Sequence, residues 1–432
     1  MFFESFLINF SVLSILIFAL VFDYVTKFFS YWYVRHLPYK QPNIPFIGSD
    51  YHRVLGIRST TEEVNKLYKK KGKFVGCIKS RLPDLVVKDP DAVKRILSTD
   101  FENFHSRGLC LDKSQDVCLR DNLYYANGEK WTLLRDGYES LLKNMDCELE
   151  SLSDCLQGTN GDVNIQQTLS KVLDKVFTDL LVGDNVGGSV VKDLRFTIQN
   201  RTLIDRFKSY LKNVFPSLYI SFGLTTLFGE PSFKTKSEIE KSKLLAVLKK
   251  LGNVQQLAIK EKNKKHSDVE FAFSVISTFI TEGYVPCLNI LTAILFEMAY
   301  NPIVQEKSRD STTKVNGEIY LDLAIKEAFR LYPPYSVLTR QCMKTYQYPE
   351  RSLLIDKKVT ISIPVEAIHK DDEHYKHAMV YNPDRFLDDE GTTKHCYAYL
   401  PFGAGPRKCV GEQLALRIIR GVTKLVLEQY EI

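Results

Sequence analysis

The residues best suited to chemistry lie in one stretch, 401–411, which reads PFGAGPRKCVG and holds one cysteine, Cys409. Two small-residue turns and an arginine precede the cysteine, and residues 412–428 follow with apolar positions at a helical period. The pattern therefore places Cys409 at the beginning of a helix. Backbone N–H groups and the positive end of the helix dipole stabilise an anion there, so the thiolate is a competent metal ligand.

A lone thiolate in a glycine-rich turn favours a haem iron over zinc. Zinc requires further Cys or His ligands at short spacing, and none accompany Cys409. Gly403, Gly405 and Gly411 lack a Cβ, so the backbone can turn tightly and approach a flat ligand closely. Phe402 is placed to keep water from the sulfur. The alternative is a reduced cysteine in a helix-start turn that binds nothing.

Five residues of this stretch fill a known signature, F-x-x-G-x-R-x-C-x-G: Phe402, Gly405, Arg407, Cys409 and Gly411. It is the haem-thiolate signature of the cytochrome P-450 monooxygenases, and the chain resembles that family, most closely its microsomal insect members. The resemblance implies haem b with Cys409 as the axial iron ligand and the other four residues at the cofactor. It also implies a mainly α fold with small peripheral β-sheets and an N-terminal membrane anchor helix.

Two further positions match cofactor-binding positions of the family. Trp131 and Arg135 are four residues apart, so they share a helix face and offer two hydrogen-bond donors to a carboxylate. Such a pair is often only a helix surface contact, but at this distance before Cys409 it matches the family's propionate-binding helix. Arg340 stands where the family often has another propionate-binding arginine.

An E-x-x-R pair, Glu327 and Arg330, precedes the residues LYPP. Residues three apart on a helix meet on one face, which predicts a charge pair. In the family the third member of this motif is an arginine, here Arg385 in NPDRF. The resemblance implies a structural triad behind the haem pocket, with no part in the chemistry.

Residues 271–300 are nearly all apolar and end at Asn301 and Pro302. Because Glu282, Asn289 and Glu297 interrupt the run, it predicts a long central helix rather than a second membrane span. By resemblance this is the helix over the distal face of the haem.

The catalytic positions of that helix depart from the family motif, A/G-Gly-x-Asp/Glu-Thr. They hold Glu282, Gly283, Val285 and Pro286, so the glycine is kept while valine replaces the acid and proline the alcohol. Valine and proline have no proton to relay, and a proline here predicts a kink that frees the carbonyl of Glu282. Three roles for Glu282 stay open: an ester to the haem, a proton relay, or a local pair.

The first residues predict a membrane anchor. Residues 6–22 form an apolar run followed by Lys27, Arg35 and Lys40, and no basic residue or small-x-small site supports a cleaved signal peptide. Positive charge on the C-terminal flank places the remainder in the cytosol. We expect a signal-anchor helix over 1–30, a proline-rich hinge over 31–48 and a catalytic domain over 49–432, on the endoplasmic reticulum membrane.

Residues 82–87 predict a strand, and 90–97 predict a helix. Residues 101–122 predict a long loop, and by resemblance this loop covers the substrate cavity. Its candidate lining residues are Phe104, Leu109, Leu111 and Leu119.

Bulk composition excludes several classes of protein. A net charge of +6 spread along 432 residues does not indicate nucleic-acid binding. Nine cysteines without a C-x-x-C pair indicate a reducing compartment rather than a disulfide framework. We expect His369, His374 and His377 to be solvated surface histidines rather than metal ligands.

The resemblance implies a monooxygenase that hydroxylates a small apolar substrate with O2 and electrons from an NADPH-dependent flavoprotein reductase. Lys130, Lys143 and Lys408 are candidate contacts for an acidic reductase surface. Two alternatives stay open because of Val285 and Pro286: a haem-thiolate peroxide isomerase, or a degenerate haem-binding paralogue with little activity. The chain is shorter than the family pattern between Ile319 and Tyr320, and we expect truncation at its C-terminus.

Overall fold

The computed structural model describes residues 2–42, 48–49, 59–79, 82–111, 113–115, 117–143, 145, 156, 163–181, 191, 203–224, 268–310, 314–315, 318–349, 353–387 and 395–432. The helices there are α1 (Phe2–Ser30), α2 (Thr60–Tyr68), α3 (Pro90–Lys94), α4 (Phe101–Phe104), α5 (Val117–Arg120), α6 (Gly128–Lys143), α7 (Ile165–Leu181), α8 (Leu203–Val214), α9 (Pro216–Ser221), α10 (Asp268–Phe279), α11 (Val285–Tyr300), α12 (Pro302–Arg309), α13 (Tyr320–Leu331), α14 (Val365–His369) and α15 (Glu412–Gln429). The strands are β1 (Phe74–Lys79), β2 (Leu82–Val87), β3 (Lys314–Val315), β4 (Glu318–Ile319), β5 (Leu338–Gln341), β6 (Tyr346–Gln347), β7 (Leu354–Ile355) and β8 (Thr360–Ile363). The prediction of a mainly α fold with small sheets is confirmed.

Residues 1–108 and 337–367 form one compact unit. Its sheet has the order β1-β2-β8-β5, in which β2 and β8 are parallel and the other two pairs are antiparallel. Val75, Val86 and Ile361 are fully buried in this sheet, as expected for strands that are rich in β-branched residues. The predicted strand over 82–87 is confirmed, and the predicted helix begins at Pro90, where the side chain of Asp89 caps it.

The anchor prediction is supported by α1, which is longer than the apolar run itself. Its segment Phe6–Ser30 is long and apolar enough to cross a membrane, and the most apolar 18 residues of that segment are not buried. Immediately after α1, Trp32 is buried, and its Nε1 donates to the carbonyl of Cys77 at 2.7 Å. Pro38 and Pro42 of the predicted hinge lie in described chain, whereas Pro45 lies outside the described residues.

Residues 109–336 and 368–432 form the other compact unit. At its centre, α11 packs against α7, α13 and α15. Leu291 and Ile294 of α11 are completely buried, as is Val422 of α15. Half of the segment Ser274–Tyr300 is buried, which agrees with the prediction of a core helix rather than a second membrane span.

Two local predictions are wrong in detail. The predicted loop over 101–122 contains α4 and α5, because short apolar turns can form a helix where they pack on a core. The long central helix is interrupted by a π-helical turn, Ile280–Tyr284, between α10 and α11. The N–H of Val285 bonds to the carbonyl of Ile280, five residues back, so the chain accommodates Pro286 by a wider turn.

Candidate functional site

Cys409 lies in the turn between a short 3-10 helix, Gly405–Arg407, and the start of α15, and its thiol is exposed. Its backbone N–H donates to the carbonyl of Phe402 at 2.9 Å, which closes the loop. Gly403 and Gly405 have φ values of 71° and 70°, a conformation that favours glycine. These two residues therefore shape the turn as the sequence predicted.

Gly411 differs from these two glycines. Its φ is −94°, and a Cβ there would lie 3.9 Å from Leu142 Cδ1, an ordinary contact. Among the described residues, neither the backbone conformation nor packing requires glycine at position 411. The glycine that the family signature has at this position would therefore be explained by close approach of the cofactor to the backbone.

A second cysteine, which the sequence analysis did not single out, lies near this site. Burial and, to a smaller extent, the charge of Cys409 raise the pKa of the Cys287 thiol to about 12. Cys287 is on α11, one residue after Pro286, so α11 and the Cys409 turn are electrostatically coupled. They are therefore close enough to belong to one site.

Three of the predicted cofactor-binding residues, Trp131, Arg135 and Arg407, come together in this unit. The guanidinium of Arg407 lies 4.8 Å from the centre of the Trp131 ring, and that of Arg135 lies 5.9 Å from it. Arg407 donates to the carbonyl of Ala126 at 2.6 Å, and Arg135 donates to that of Lys408 at 2.8 Å. The indole is thus flanked by two cations, one of which is tied to the residue before Cys409.

Arg340 lies in β5 of the other unit, where it is buried and donates through Nη1 to the carbonyl of Thr339 at 2.9 Å. Its role at a propionate stays a prediction.

Glu327, Arg330 and Arg385 form a buried cluster. Arg330 holds both carboxylate oxygens of Glu327 at 2.8 Å, and Arg385 Nε donates to Oε1 at 2.9 Å. Arg330 and Arg385 also donate to main-chain carbonyls, of His369 at 2.5 Å and of Lys376 at 2.9 Å. One carboxylate therefore joins α13 to the segments around residues 369, 376 and 385.

The expectation of a solvated histidine is wrong for His369, which is fully buried. Its Nε2 accepts from the N–H of Leu400 at 2.8 Å, so the opposite nitrogen, Nδ1, carries the proton and donates to the carbonyl of Arg330 at 3.0 Å. Burial, with the charges of Arg330 and Lys370, lowers its pKa to about 3. No periodic pattern around His369 indicates this burial, because His369 ends a helix of only five residues.

The distal positions are arranged around the π turn. Glu282 accepts a hydrogen bond from the hydroxyl of Tyr335, and the Tyr335 ring stacks on Tyr124 with centroids 5.9 Å apart. A Cβ on Gly283 would lie 3.2 Å from the ring of Phe177, so close packing against α7 accounts for this glycine. Val285 and Pro286 are partly buried and follow directly.

The candidate substrate residues are mostly interior. Phe104 is completely buried and packs edge-on against Tyr346 in the first unit, with centroids 5.0 Å apart. Leu111 and Leu119 are buried and Leu109 is partly buried, all three in the second unit. Their contact with a substrate stays a prediction.

One of the three lysines suggested for a redox partner is unsuited to that role. The side chain of Lys130 is only 14% exposed, and it bonds to Asp121 and to the carbonyl of Arg120, each at 2.8 Å. Lys143 is exposed, and Lys408 is 48% exposed with an ion pair to Glu412 at 2.6 Å.

Lys408 also borders a groove of about 880 Å³ between α13, the 396–405 loop and the start of α15. Its walls combine the apolar side chains of Phe329 and Leu416 with the cations Lys326, Arg417 and Arg420.

The donor set of this unit fits a haem. An exposed thiol lies at a helix start, and an indole and two guanidinium groups beside it are suited to carboxylates. No feature of the Cys409 turn demands a different metal.

Comparisons with known proteins agree with this reading. The family model "Cytochrome P450" matches residues 38–432. Cytochrome P450 6B2 of Helicoverpa armigera is 25% identical over 476 residues, covering 96% of this chain and 90% of the relative. Cytochrome P450 9b2 of Drosophila melanogaster is 24% identical over 480 residues, covering 99% and 93%. Because 480 aligned positions exceed the 432 residues here, this chain is shorter than that relative within the aligned region.

Proposed function

Because the chain belongs to the cytochrome P450 family, which implies a haem-thiolate monooxygenase, we propose that it holds haem b through Cys409 and hydroxylates small apolar substrates. The observation that carries this proposal is the Cys409 turn. Its thiol is exposed at the start of α15, and Gly403 and Gly405 adopt the backbone conformation that the turn requires. The bound haem would supply O2 activation with electrons from a redox partner.

The protein's own residues would hold and orient that group. Cys409 would supply the thiolate ligand, and Trp131, Arg135 and Arg407 would supply hydrogen-bond donors and positive charge for the propionates. We assign Arg340 to the same task. Phe402, whose ring packs against Phe329 with centroids 4.8 Å apart, would shield the sulfur from water.

Glu327, Arg330 and Arg385 have a structural role in this proposal. Their bonds join α13 to the segment that leads, through His369 and Leu400, to the Cys409 turn. The cluster thereby fixes the position of the thiolate.

We place the substrate against the π turn and the apolar side chains of Phe104, Leu109, Leu111 and Leu119. The distal residues Glu282, Gly283, Val285 and Pro286 would line the reacting side. Only Glu282 among these four carries a proton that it can exchange through its side chain. Binding spectra with steroids, fatty acids and plant toxins would identify the substrate class.

We further propose a location on the endoplasmic reticulum membrane, with α1 as a single anchor and the catalytic domain in the cytosol. The exposed apolar run over residues 6–22, which carries no charge and is followed by Lys27, Arg35 and Lys40, supports this orientation. An NADPH-dependent flavoprotein reductase would supply electrons at the groove that Lys408 borders, with Lys143 as a further candidate contact. Cations there would attract an acidic partner.

A carbon monoxide difference spectrum of the reduced, purified protein tests the proposal. The wild type should show the red-shifted Soret band of thiolate ligation, and Cys409→Ser should abolish it. Cys396→Ser is the matched control, since Cys396 is also exposed and lies only 13 residues earlier. Retention of the band in Cys409→Ser, or its absence in the wild type, would refute the proposal.

A peroxide isomerase is the second candidate function, favoured by the absence of a side-chain proton donor at Val285 and Pro286. It requires neither a proton relay nor a reductase. Product formed only from added hydroperoxide, and never from O2 with NADPH and reductase, would support it over the monooxygenase. A thiolate band without turnover by either route would indicate a degenerate paralogue.

A further inference from the structure

The strongest unexplained feature of the described chain is a carboxyl–phenol pair at the π turn. Tyr335, in the segment after α13, donates its hydroxyl proton to Oε2 of Glu282. Its ring stacks on Tyr124 at an interplanar angle of 21°, which fixes the orientation of the phenol. We propose that Glu282 supplies protons at the distal face in place of the missing acid and alcohol, and that Tyr335 is its positioning residue.

The π turn determines which way the Glu282 side chain points. Tyr284 bonds to the carbonyl of Ser170 at 3.1 Å and to Asp174 Oδ1 at 3.0 Å, so that side of the turn faces α7. Residues two apart lie on roughly opposite sides of a helix, at about 200° in the α form. Glu282 therefore points away from α7 and toward Tyr335.

Of the side chains in this turn, Glu282 and Tyr284 each bond to another exchangeable group, and the bond of Glu282 is the one that faces away from α7. The turn ITEGY has three side chains with exchangeable protons. Thr281 donates to the carbonyl of Ser277 at 2.9 Å, and Tyr284 is held by α7. Glu282 instead meets a phenol, which can pass on a proton as well as hold one.

This inference rests on the proposed monooxygenase function. Hydroxylation converts RH, O2, two electrons and two protons into ROH and H2O, and the redox partner supplies the electrons. Glu282 would give up its carboxyl proton toward the reacting oxygen, and both protons leave in the water formed. Each time, the carboxylate regains a proton through the Tyr335 hydroxyl, which is replenished from solvent.

Cyanide binding to the ferric, haem-loaded full chain in detergent measures this property without turnover. Hydrogen cyanide must give up its proton to bind iron as an anion, so a distal carboxylate accelerates its association, whereas carbon monoxide binds without proton transfer. General-base assistance is worth about 100-fold or more. We expect Glu282→Gln to slow cyanide association about 100-fold and Tyr335→Phe to slow it about 10-fold. Carbon monoxide association, measured on the reduced protein, should be unchanged in both variants.

The chain offers a matched control pair in the same two elements. Tyr332, three residues before Tyr335, donates to Glu297, about 22 Å along the helix from Glu282 at 1.5 Å per residue. Tyr332→Phe and Glu297→Gln remove the same kinds of atoms at a distance from the distal face. Both should keep wild-type cyanide association.

An unchanged cyanide rate in Glu282→Gln, or equal slowing in the control variants, would overturn the proposal. The proposal would also be overturned if haem stays attached to the denatured wild-type chain but is released from denatured Glu282→Gln. That result would indicate an ester between Glu282 and the haem, and an esterified carboxyl has no proton to supply. If Glu282→Gln fails to fold, Tyr335→Phe decides, since it keeps the ring and its stacking on Tyr124. If Glu282→Gln shows a normal carbon monoxide band and an unaltered rate of cyanide association, only this inference is rejected. If the wild type lacks the thiolate band, the proposed monooxygenase function is itself rejected.

Discussion

Acid should destabilise this protein through one buried histidine, His369. Its Nδ1–H donates to the carbonyl of Arg330, and its Nε2 accepts from the N–H of Leu400, two residues before Phe402. Protonation would turn that acceptor into a donor facing another donor, beside the buried guanidinium of Arg330. Loss of the hydrogen bond from Leu400 would release the chain that leads into the Cys409 turn.

The magnitude follows from the change in pKa on folding. His369 has an ordinary pKa near 6.5 when unfolded and about 3 when folded. Between these values the unfolded chain binds a proton that the folded chain does not, so the free energy of unfolding decreases as the pH falls. The stabilisation is complete above pH 6.5 and is lost at about 1.4 kcal/mol per pH unit below it, or about 2 kcal/mol by pH 5.

Urea unfolding followed by far-UV circular dichroism, on detergent-solubilised full chain at pH 7.5, 6.5, 5.5 and 5, measures this slope. His369→Gln keeps an acceptor for Leu400 and has no titrating group, so its loss between pH 6.5 and 5 should be about 2 kcal/mol smaller than that of the wild type. His374→Gln, at a partly exposed histidine, should follow the wild type. Parallel pH curves for wild type and His369→Gln would refute the reasoning.

Two further predictions concern the interior: one tests the buried charges and the other tests side-chain packing. Glu327→Gln leaves two buried guanidinium groups without their carboxylate, so urea unfolding should show a loss of about 3–5 kcal/mol. Asp322→Asn, which breaks a partly exposed ion pair of 3.1 Å, should cost less than about 1 kcal/mol, and equal losses would contradict this account. Gly76→Ala places a Cβ 2.4 Å from Trp32 Cγ, so Trp32 should shift toward solvent at a cost of about 1–3 kcal/mol. In a Trp131→Phe background the fluorescence of Trp32 should move to longer wavelength, and an unchanged spectrum would show that the ring has not moved.

The sequence alone was sufficient to predict a local structure where that structure depends on contiguous residues. The ligand, the two positive-φ glycines and the helix start all lie within the 401–412 stretch, so local backbone geometry defines the Cys409 turn. The spacing of Trp131 and Arg135 fixed a shared helix face in the same way. The apolar run of 271–300 predicted a buried helix, although the π turn at its centre gave no periodic signal.

Other features required the folded chain. His369 looked like part of an exposed cluster, and its burial depends on Leu400 and Arg330, which lie 31 and 39 residues away. Tyr335 is 53 residues from Glu282, and no pattern in either segment indicates that they meet. Lys130 looked like a surface cation but is bonded to a buried aspartate.

Taken by itself, the sequence determined the helical class of the fold, the cysteine proposed as metal ligand and the apolar run proposed as anchor, because each follows from short-range spacing and composition. Tertiary structure decided which phenol bonds to Glu282, which histidine is buried and which guanidinium groups flank the indole. These depend on contacts between segments distant in sequence, and the free energy of such contacts comes from burial and hydrogen bonding that exist only after the chain has packed.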